Sequence, residues 1–344
     1  MSSEKPLLVV CGATGTQGGS VISHFLSKSP CPYNIRGLTR NPSSPKSVAL
    51  SSRGVEMVAA DFADPSSLNA AFAGALYIYG TNDFWVFYDD PASKEKAKAA
   101  GRSLMVLSKE NDTFENKNII DAAAKVSTLQ RLVMSSQAYT EKVSGGKISH
   151  CYHFDGKAIA EEYLRSDHPK LWEKTNVIFC GFYLENLVRA VGEMMRPKLT
   201  EEGLALYMDD AVASAPFPYY SAVNDTGPLV EALIRAPPSN RVIGVNEWLN
   251  LKDLALLIGE VMGKKVKFMN ENPVFDMGGD EERMQDNLEM LMFGVEFGYD
   301  GGKVDKTVVK PTELGVPLAL RSVKDWVKDQ DWASVYGIKD SLTN

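Results

Sequence analysis

Short apolar runs alternate with helix-length amphipathic stretches through the first half of the chain. Strand Leu7–Cys11 leads into helix Gly18–Ser27 and then strand Asn34–Thr39. The beat continues through strand Glu56–Ala59, a short helix after Asp64-Pro65, the run Ala75–Gly80, a helix near Asn116–Val126 and strand Gln130–Ser135. Helix Lys157–Arg165 and strand Asn176–Cys180 complete it. Strands apolar on both faces and separated by crossovers predict a parallel sheet with helices on either side. After about Tyr183 the rhythm loosens. Gly, Pro and aromatic residues cluster between Gly203 and Tyr220, and helices near Asp225–Arg235 and Leu251–Met262 interleave less regularly with strands. The pattern predicts an α/β chain: a doubly wound parallel sheet over residues 1–182 and a smaller C-terminal α/β domain, 183–344, for substrate or partner.

Two stretches stand outside the beat. Residues 84–112 hold an aromatic cluster followed by the Lys-rich 94–98, too long for an ordinary connection, and are expected to form a lid or an extra helical excursion. Residues 270–299 carry Met, Phe and acidic residues in a helix-like pattern, read as packing. A chain of 344 residues with 37 basic and 44 acidic side chains has a net charge of −7, which argues against nucleic acid as a partner. No apolar run approaches membrane-spanning length, and polar Met1–Pro6 runs straight into the first strand, so neither a signal peptide nor a membrane span is expected. Four cysteines, Cys11, Cys31, Cys151 and Cys180, have neither disulfide-framework nor paired metal spacing, and a reducing, cytoplasmic setting is expected.

Gly12-Ala13-Thr14-Gly15-Thr16-Gln17-Gly18-Gly19 directly follows the first strand and opens the first helix. Glycines there let backbone N–H groups approach a pyrophosphate, and the helix N-terminus adds partial positive charge. Gly12, Thr14, Gly15, Thr16, Gln17 and Gly18 are therefore expected to bind a dinucleotide on a Rossmann sheet. The end of the second strand reads Thr39-Arg40-Asn41-Pro42, with Arg40 where dinucleotide folds discriminate at the ribose. A guanidinium there pairs with a 2′-phosphate, and no carboxylate competes, so NADP(H) is the expected cofactor. After the third strand, Asp61 is expected against the adenine amino group and Phe62 along its face, whereas Asp64 reads as a helix cap.

The glycine turn, Thr39-Arg40-Asn41-Pro42, Ala60-Asp61, Thr81-Asn82 and the string His153-Phe154-Asp155-Gly156-Lys157 together resemble the NmrA-like family, an atypical branch of the short-chain dehydrogenase fold. The similarity runs from about Leu7 to Arg189, with weaker traces at 223–233 and 251–262. The turn spacing Gly12-x-x-Gly15-x-x-Gly18 is the form seen in extended and atypical members of that fold. Tyr183-Leu184-Glu185-Asn186 looks like the family's stretch that closes over the nicotinamide end, which implies Tyr183 and Asn186 as cofactor contacts beside Thr81, Asn82 and Lys157. Some members are NADP(H)-dependent reductases of aromatic or phenylpropanoid-like metabolites, and others are regulators that sense the nucleotide without known turnover. Fold alone does not decide between them.

Typical short-chain dehydrogenases set a tyrosine four residues before the lysine, so that the ammonium lies beside the phenol on one helix face. Here His153 holds that position and the tyrosine is displaced to Tyr152. Two mechanisms remain: Lys157, or a water it orients, acts as acid and base, or His153 replaces the tyrosine. Ser135 ends the fifth strand, the position from which the fold presents a serine to a substrate carbonyl; the alternative is a strand-end serine bonded to backbone. Gln137 and Tyr139 follow near the same crevice, Tyr139 as a replacement phenol. His150-Cys151-Tyr152-His153 invites a zinc reading, but neighbours in one short segment rarely converge on a tetrahedral ion, and no metal is expected.

Phe84, Trp85 and Tyr88 after the fourth strand, and Tyr219 from the second half, are expected to line an apolar substrate site; the alternative is that these rings pack the two parts together. The resulting expectation is an NADPH-dependent oxidoreductase of secondary-metabolism type, moving a hydride to a carbonyl, enone or quinone-like carbon of a bulky aromatic small molecule. A nucleotide-sensing regulator that binds a partner protein, and a redox-neutral dehydratase or isomerase, are the alternatives.

Overall fold

The computed structural model describes residues 5–189, 195–271 and 279–338. Six parallel strands follow the predicted beat: β1 (Leu7–Val10), β2 (Asn34–Thr39), β3 (Glu56–Ala59), β4 (Tyr77–Gly80), β5 (Arg131–Ser136) and β6 (Thr175–Cys180). The remaining strands are β7 (Phe182–Tyr183), β8 (Lys198–Thr200), β9 (Gly203–Tyr207), β10 (Phe217–Tyr220), β11 (Arg241–Gly244), β12 (Glu247–Leu249), β13 (Val266–Met269) and β14 (Val308–Val309). One eight-stranded sheet runs β14-β11-β6-β5-β4-β1-β2-β3 and is parallel throughout. The order reverses between β1 and β4, where an open α/β sheet leaves a crevice at its carboxyl edge.

Residue alternation explains the two covered faces. Leu8 and Val10 of β1, Val133 of β5 and Ile178 of β6 face one core, packed by helices Thr16–Leu26 and Ala222–Arg235. Val9, Leu132, Met134, Val177 and Phe179 face the other, packed by helices Leu104–Ala124 and Tyr152–Asp167. This is the doubly wound arrangement. Beyond residue 182, where the second domain is expected to begin, β11 and β14 return to extend the main sheet. β14, with two residues, is too short to stand out in the hydrophobic pattern, and β11 lies in the half where strands and helices interleave less regularly. The rest of the C-terminal half forms two three-stranded sheets, β12-β10-β7 and β13-β9-β8, with helix Leu251–Met262 beside them.

The stretch 84–112 is helical. Asp83 caps helix Phe84–Asp89, Asp90 caps helix Pro91–Ala100, and Gly101 ends the latter in a left-handed conformation. Ser103 then caps the 21-residue helix Leu104–Ala124. Asp-Pro at 90–91 and Gly101 are ordinary start and stop signals. The second irregular stretch contains helix Glu281–Phe297, where Met290, Leu291 and Phe293 are buried and Leu288 and Met292 are exposed; residues 272–278 lie outside the described residues.

The turn after β7 is fastened by one buried carboxylate. Glu185 accepts the Ser221 hydroxyl at 2.8 Å and the N–H groups of Ala222 and Val223 at 3.1 and 3.0 Å, joining the segment 184–188 to the start of helix Ala222–Arg235. Removing it leaves buried donors unsatisfied. Glu185→Ala is expected to lower unfolding free energy by about 2–4 kcal/mol in denaturant titration, with Glu185→Gln losing clearly less.

Candidate active site

The glycine turn is shaped by close approach. Gly12 has φ +59°, and a Cβ on Gly18 would stand 2.3 Å from the Gly12 carbonyl oxygen and 2.7 Å from that of Cys11, so helix Thr16–Leu26 leaves β1 only with glycine there. No side chain caps the first turn of this helix, and no acidic residue stands in it. The helices at 45–51, 65–72, 84–89 and 104–124 all carry a capping Ser or Asp. Open N–H groups at a helix end lodged at a sheet crevice fit a phosphate. Gln17 reaches from this turn across the carboxyl edge: its Nε2 donates to the Tyr183 hydroxyl at 2.6 Å, and its Oε1 accepts from the Tyr79 hydroxyl. Burial pushes both phenols well above their ordinary range, so both stay protonated.

Lys157 lies at the other end of the crevice. Its Nζ donates to Asp112 Oδ1 at 2.7 Å and to Asn82 Oδ1 at 2.8 Å. Asp112, on helix Leu104–Ala124, has no exposed surface, and Lys157 keeps only 12% of its side chain exposed. Asn116 Nδ2 donates to Asn82 Oδ1 at 2.8 Å and to the Asp112 carbonyl at 2.9 Å, while Asn82 Nδ2 donates to Glu115 at 3.1 Å. Burial holds the Asp112 and Glu115 carboxyls above their ordinary range, opposed in part by the Lys157 charge at Asp112 and by the Asn82 amide at Glu115. Lys157, Ser135 and Asn116 line one small cavity with Met134 and Ser136. The Ser135 hydroxyl is 3.6 Å from Cys180 Sγ, a thiol whose ionisation burial opposes. Gln137 donates to the Cys180 carbonyl at 2.9 Å, whereas Tyr139 lines a separate cavity with Lys142, Glu161 and Arg241.

Four residues before Lys157, His153 Nδ1 contacts the carboxylate of Asp286 from helix Glu281–Phe297, and its ring is wrapped by Phe154, Trp85 and Phe84 at 4.7, 5.4 and 6.1 Å between centroids. Cys151 Sγ lies within 4.8 Å of both polar atoms, but the imidazole and carboxylate already meet directly. Tyr152 turns away, packing on the Phe84–Met105 cluster under Lys109. Of the expected aromatic wall, Phe84 and Tyr88 are buried, and Tyr88 donates to Asp280 at 2.5 Å. Arg283 lies 4.3 Å above the Trp85 ring. Tyr219 is fully buried beside Phe182, its hydroxyl without a partner among the described residues. Toward the opposite end, Arg40 and Asp61 are exposed just beyond β2 and β3, and the Phe62 carbonyl accepts from Asn118 at 2.9 Å. Thr81 is buried against Gly12, and Thr14, Thr16 and Asn186 are partly exposed.

The sequence profile of the NmrA-like family matches residues 4–309. The chain belongs to the NmrA-like family. It is 30% identical over 95% of its length to "NmrA-like family domain-containing oxidoreductase hkm9" of Aspergillus hancockii, covering 97% of that protein. Its fold is similar to the crystal structure of NmrA, described as a negative transcriptional regulator, in complex with NAD: the TM-score is 0.68 at 16% identity, with 95% of each chain covered. It is also similar to the triphenylmethane reductase of Citrobacter sp. complexed with NADP(H), with a TM-score of 0.61 at 20% identity, covering 93% of this chain and 98% of that one.

On this NmrA-like scaffold, sequence reasoning missed Asp112, Asn116, Tyr79 and Asp286. The first two sit at i and i+4 on a helix read as starting near residue 116, so only a longer helix would have put both beside Lys157. A buried ammonium stripped of its carboxylate is strongly destabilising. Asp112→Asn is expected to cost about 3–5 kcal/mol of stability, and Asp112→Asn/Lys157→Met to recover most of that loss; equal stability of the two variants would contradict the pairing.

Proposed function

We propose that this protein is an NADP(H)-dependent oxidoreductase that moves a hydride between its cofactor and a carbonyl, enone or quinone-like carbon of a bulky, largely aromatic metabolite. The observation that carries the reading is Lys157 held by Asp112 and Asn82 just past the carboxyl end of β4, on the same edge as an uncapped glycine-turn helix. The oxidoreductase name of the Aspergillus relative and the bound NADP(H) of the Citrobacter reductase support it.

The amides of residues 16 and 17 hold the pyrophosphate, Arg40 the 2′-phosphate, and Asp61 and Phe62 the adenine end. Thr81, Asn82, Tyr183 and Asn186 border the nicotinamide end. The bound cofactor supplies or accepts the hydride. Lys157, held by Asp112 and Asn82, bonds the nicotinamide ribose and moves a proton to or from the substrate oxygen. Ser135 donates to that oxygen as its charge develops, and His153 orients it. Of the expected aromatic wall, Trp85 keeps surface for the substrate, whereas Phe84, Tyr88 and Tyr219 are buried and serve packing.

A second reading, a nucleotide sensor that binds a partner protein, draws on one feature. The rings expected to wall a substrate are clasped by helix Glu281–Phe297 through Asp280 and Arg283, and the NmrA neighbour is described as a regulator.

Two measurements separate these readings and test the cofactor preference. Substrate-dependent NADPH oxidation across a panel of aromatic ketones, enones and quinones is expected, with Lys157→Ala reducing it by about a hundredfold or more; no oxidation with any member, alongside nucleotide-dependent partner capture, would favour the sensor. Arg40→Ala is expected to weaken NADPH binding roughly 10- to 100-fold while leaving NADH binding nearly unchanged, and equal losses would remove the 2′-phosphate assignment.

A further inference from the structure

Helix Glu281–Phe297 returns from far along the chain and ends two carboxylates on the segment that opens helix Tyr152–Asp167. Glu289 accepts the N–H groups of Ser149 and His150 at 2.8 and 2.7 Å and meets His150 Nδ1 at 2.7 Å. One turn earlier, Asp286 takes the His153 N–H at 3.3 Å through Oδ1 and meets the imidazole Nδ1 through Oδ2. Asp286 has no exposed surface, and no lysine or arginine pairs with it among the described residues. Neither its Oδ2 nor the His153 Nδ1 has a partner in regular hydrogen-bonding geometry there, and the direct contact of each is with the other. A wholly buried carboxylate needs a donor, and Nδ1–H is the one within reach.

We infer that Asp286 is a positioning residue that fixes His153 in the Nδ1–H tautomer and leaves the Nε2 lone pair on the ring edge turned away from the carboxylate. Nδ1 is fully buried while the His153 side chain keeps 14% of its surface, so the accessible part of the residue lies away from Asp286. Phe154, Trp85 and Phe84 hold the ring plane, and Arg283 rests over the Trp85 ring. Cys151 stays a neutral thiol because burial and the Asp286 and Asp155 carboxylates oppose its ionisation. Asp155 itself turns to Thr140, whose N–H and hydroxyl it accepts at 2.7 and 2.8 Å. With Lys157 one helical turn further along the same face, Nε2 becomes an acceptor for a substrate hydroxyl or for a water beside the lysine. That use of the nitrogen rests on the oxidoreductase reading; the tautomer does not.

Asp286→Asn separates a positioning carboxylate from a mere cap. Asparagine keeps an oxygen for the His153 N–H but turns an amide donor toward Nδ1, which forces the ring proton onto Nε2. The test is long-range ¹H–¹⁵N correlation of the His153 ring in the full-length protein, recorded with the imidazole neutral. The wild type is expected to show a protonated Nδ1 and a bare Nε2, Asp286→Asn the reverse, and Glu289→Gln the wild-type pattern. A wild-type ring protonated on Nε2, or an unchanged tautomer in Asp286→Asn, overturns the inference, and the wild-type spectrum decides even if that variant does not fold. Where turnover is measurable, Asp286→Asn is expected to lower kcat about a hundredfold or more with KM nearly unchanged. Absence of turnover in every form, with the tautomers as expected, would count against the oxidoreductase reading and not against the pairing.

Discussion

A single buried charge pair organises the crevice. Lys157 places an ammonium at the carboxyl edge of the sheet, where bare burial would be prohibitive, and Asp112 makes it tolerable from the neighbouring helix. Asn82 completes the contact from the end of β4, and Asn116 holds Asn82 in turn. Two helices and one strand end are thereby locked in register around one nitrogen atom. On the proposed function, the same pairing sets where a cofactor's ribose and a substrate's oxygen would meet a proton carrier. Overall charge works against an anionic dinucleotide, since the chain carries −7, so attraction has to come from such local devices: open helix amides, Arg40 and this ammonium.

The irregular stretches acquire a role from this arrangement. The helical excursion 84–112 contributes Phe84 and Trp85 at one end and Asp112 at the other. Helix Glu281–Phe297 then clasps the excursion from outside, through Tyr88–Asp280 and Arg283 on Trp85, and clasps the start of helix Tyr152–Asp167 through Asp286 and Glu289. The C-terminal half thus braces the Lys157 end of the crevice, while the N-terminal half carries the glycine turn and Lys157 itself. Gln17, between Tyr79 and Tyr183, ties the two ends across the sheet.

Local signals made the first part readable and left the second hidden. The glycine turn could be read because its constraints lie within seven residues: a left-handed Gly12 and a Gly18 whose Cβ would strike the backbone before it. Strands β1–β6 were legible from apolar runs, and Lys157 from its place in a short string. Asp112 and Asp286 were not, because an acidic residue on a helix looks solvated until the partner 45 or 133 residues away is known. Strands β11 and β14 escaped for a related reason: their membership in the main sheet is set by pairing with β6 and with each other, not by their own few residues.

The claim that everything else leans on is that a nicotinamide dinucleotide lies across this edge with its ribose against Lys157. The crystal structure of the protein with NADP⁺ tests it most directly. The account predicts pyrophosphate on the amides of residues 16 and 17, the 2′-phosphate at Arg40, and Lys157 Nζ bonded to a nicotinamide ribose hydroxyl while still held by Asp112. A dinucleotide bound elsewhere, or a Lys157 that leaves the ribose untouched, would contradict it.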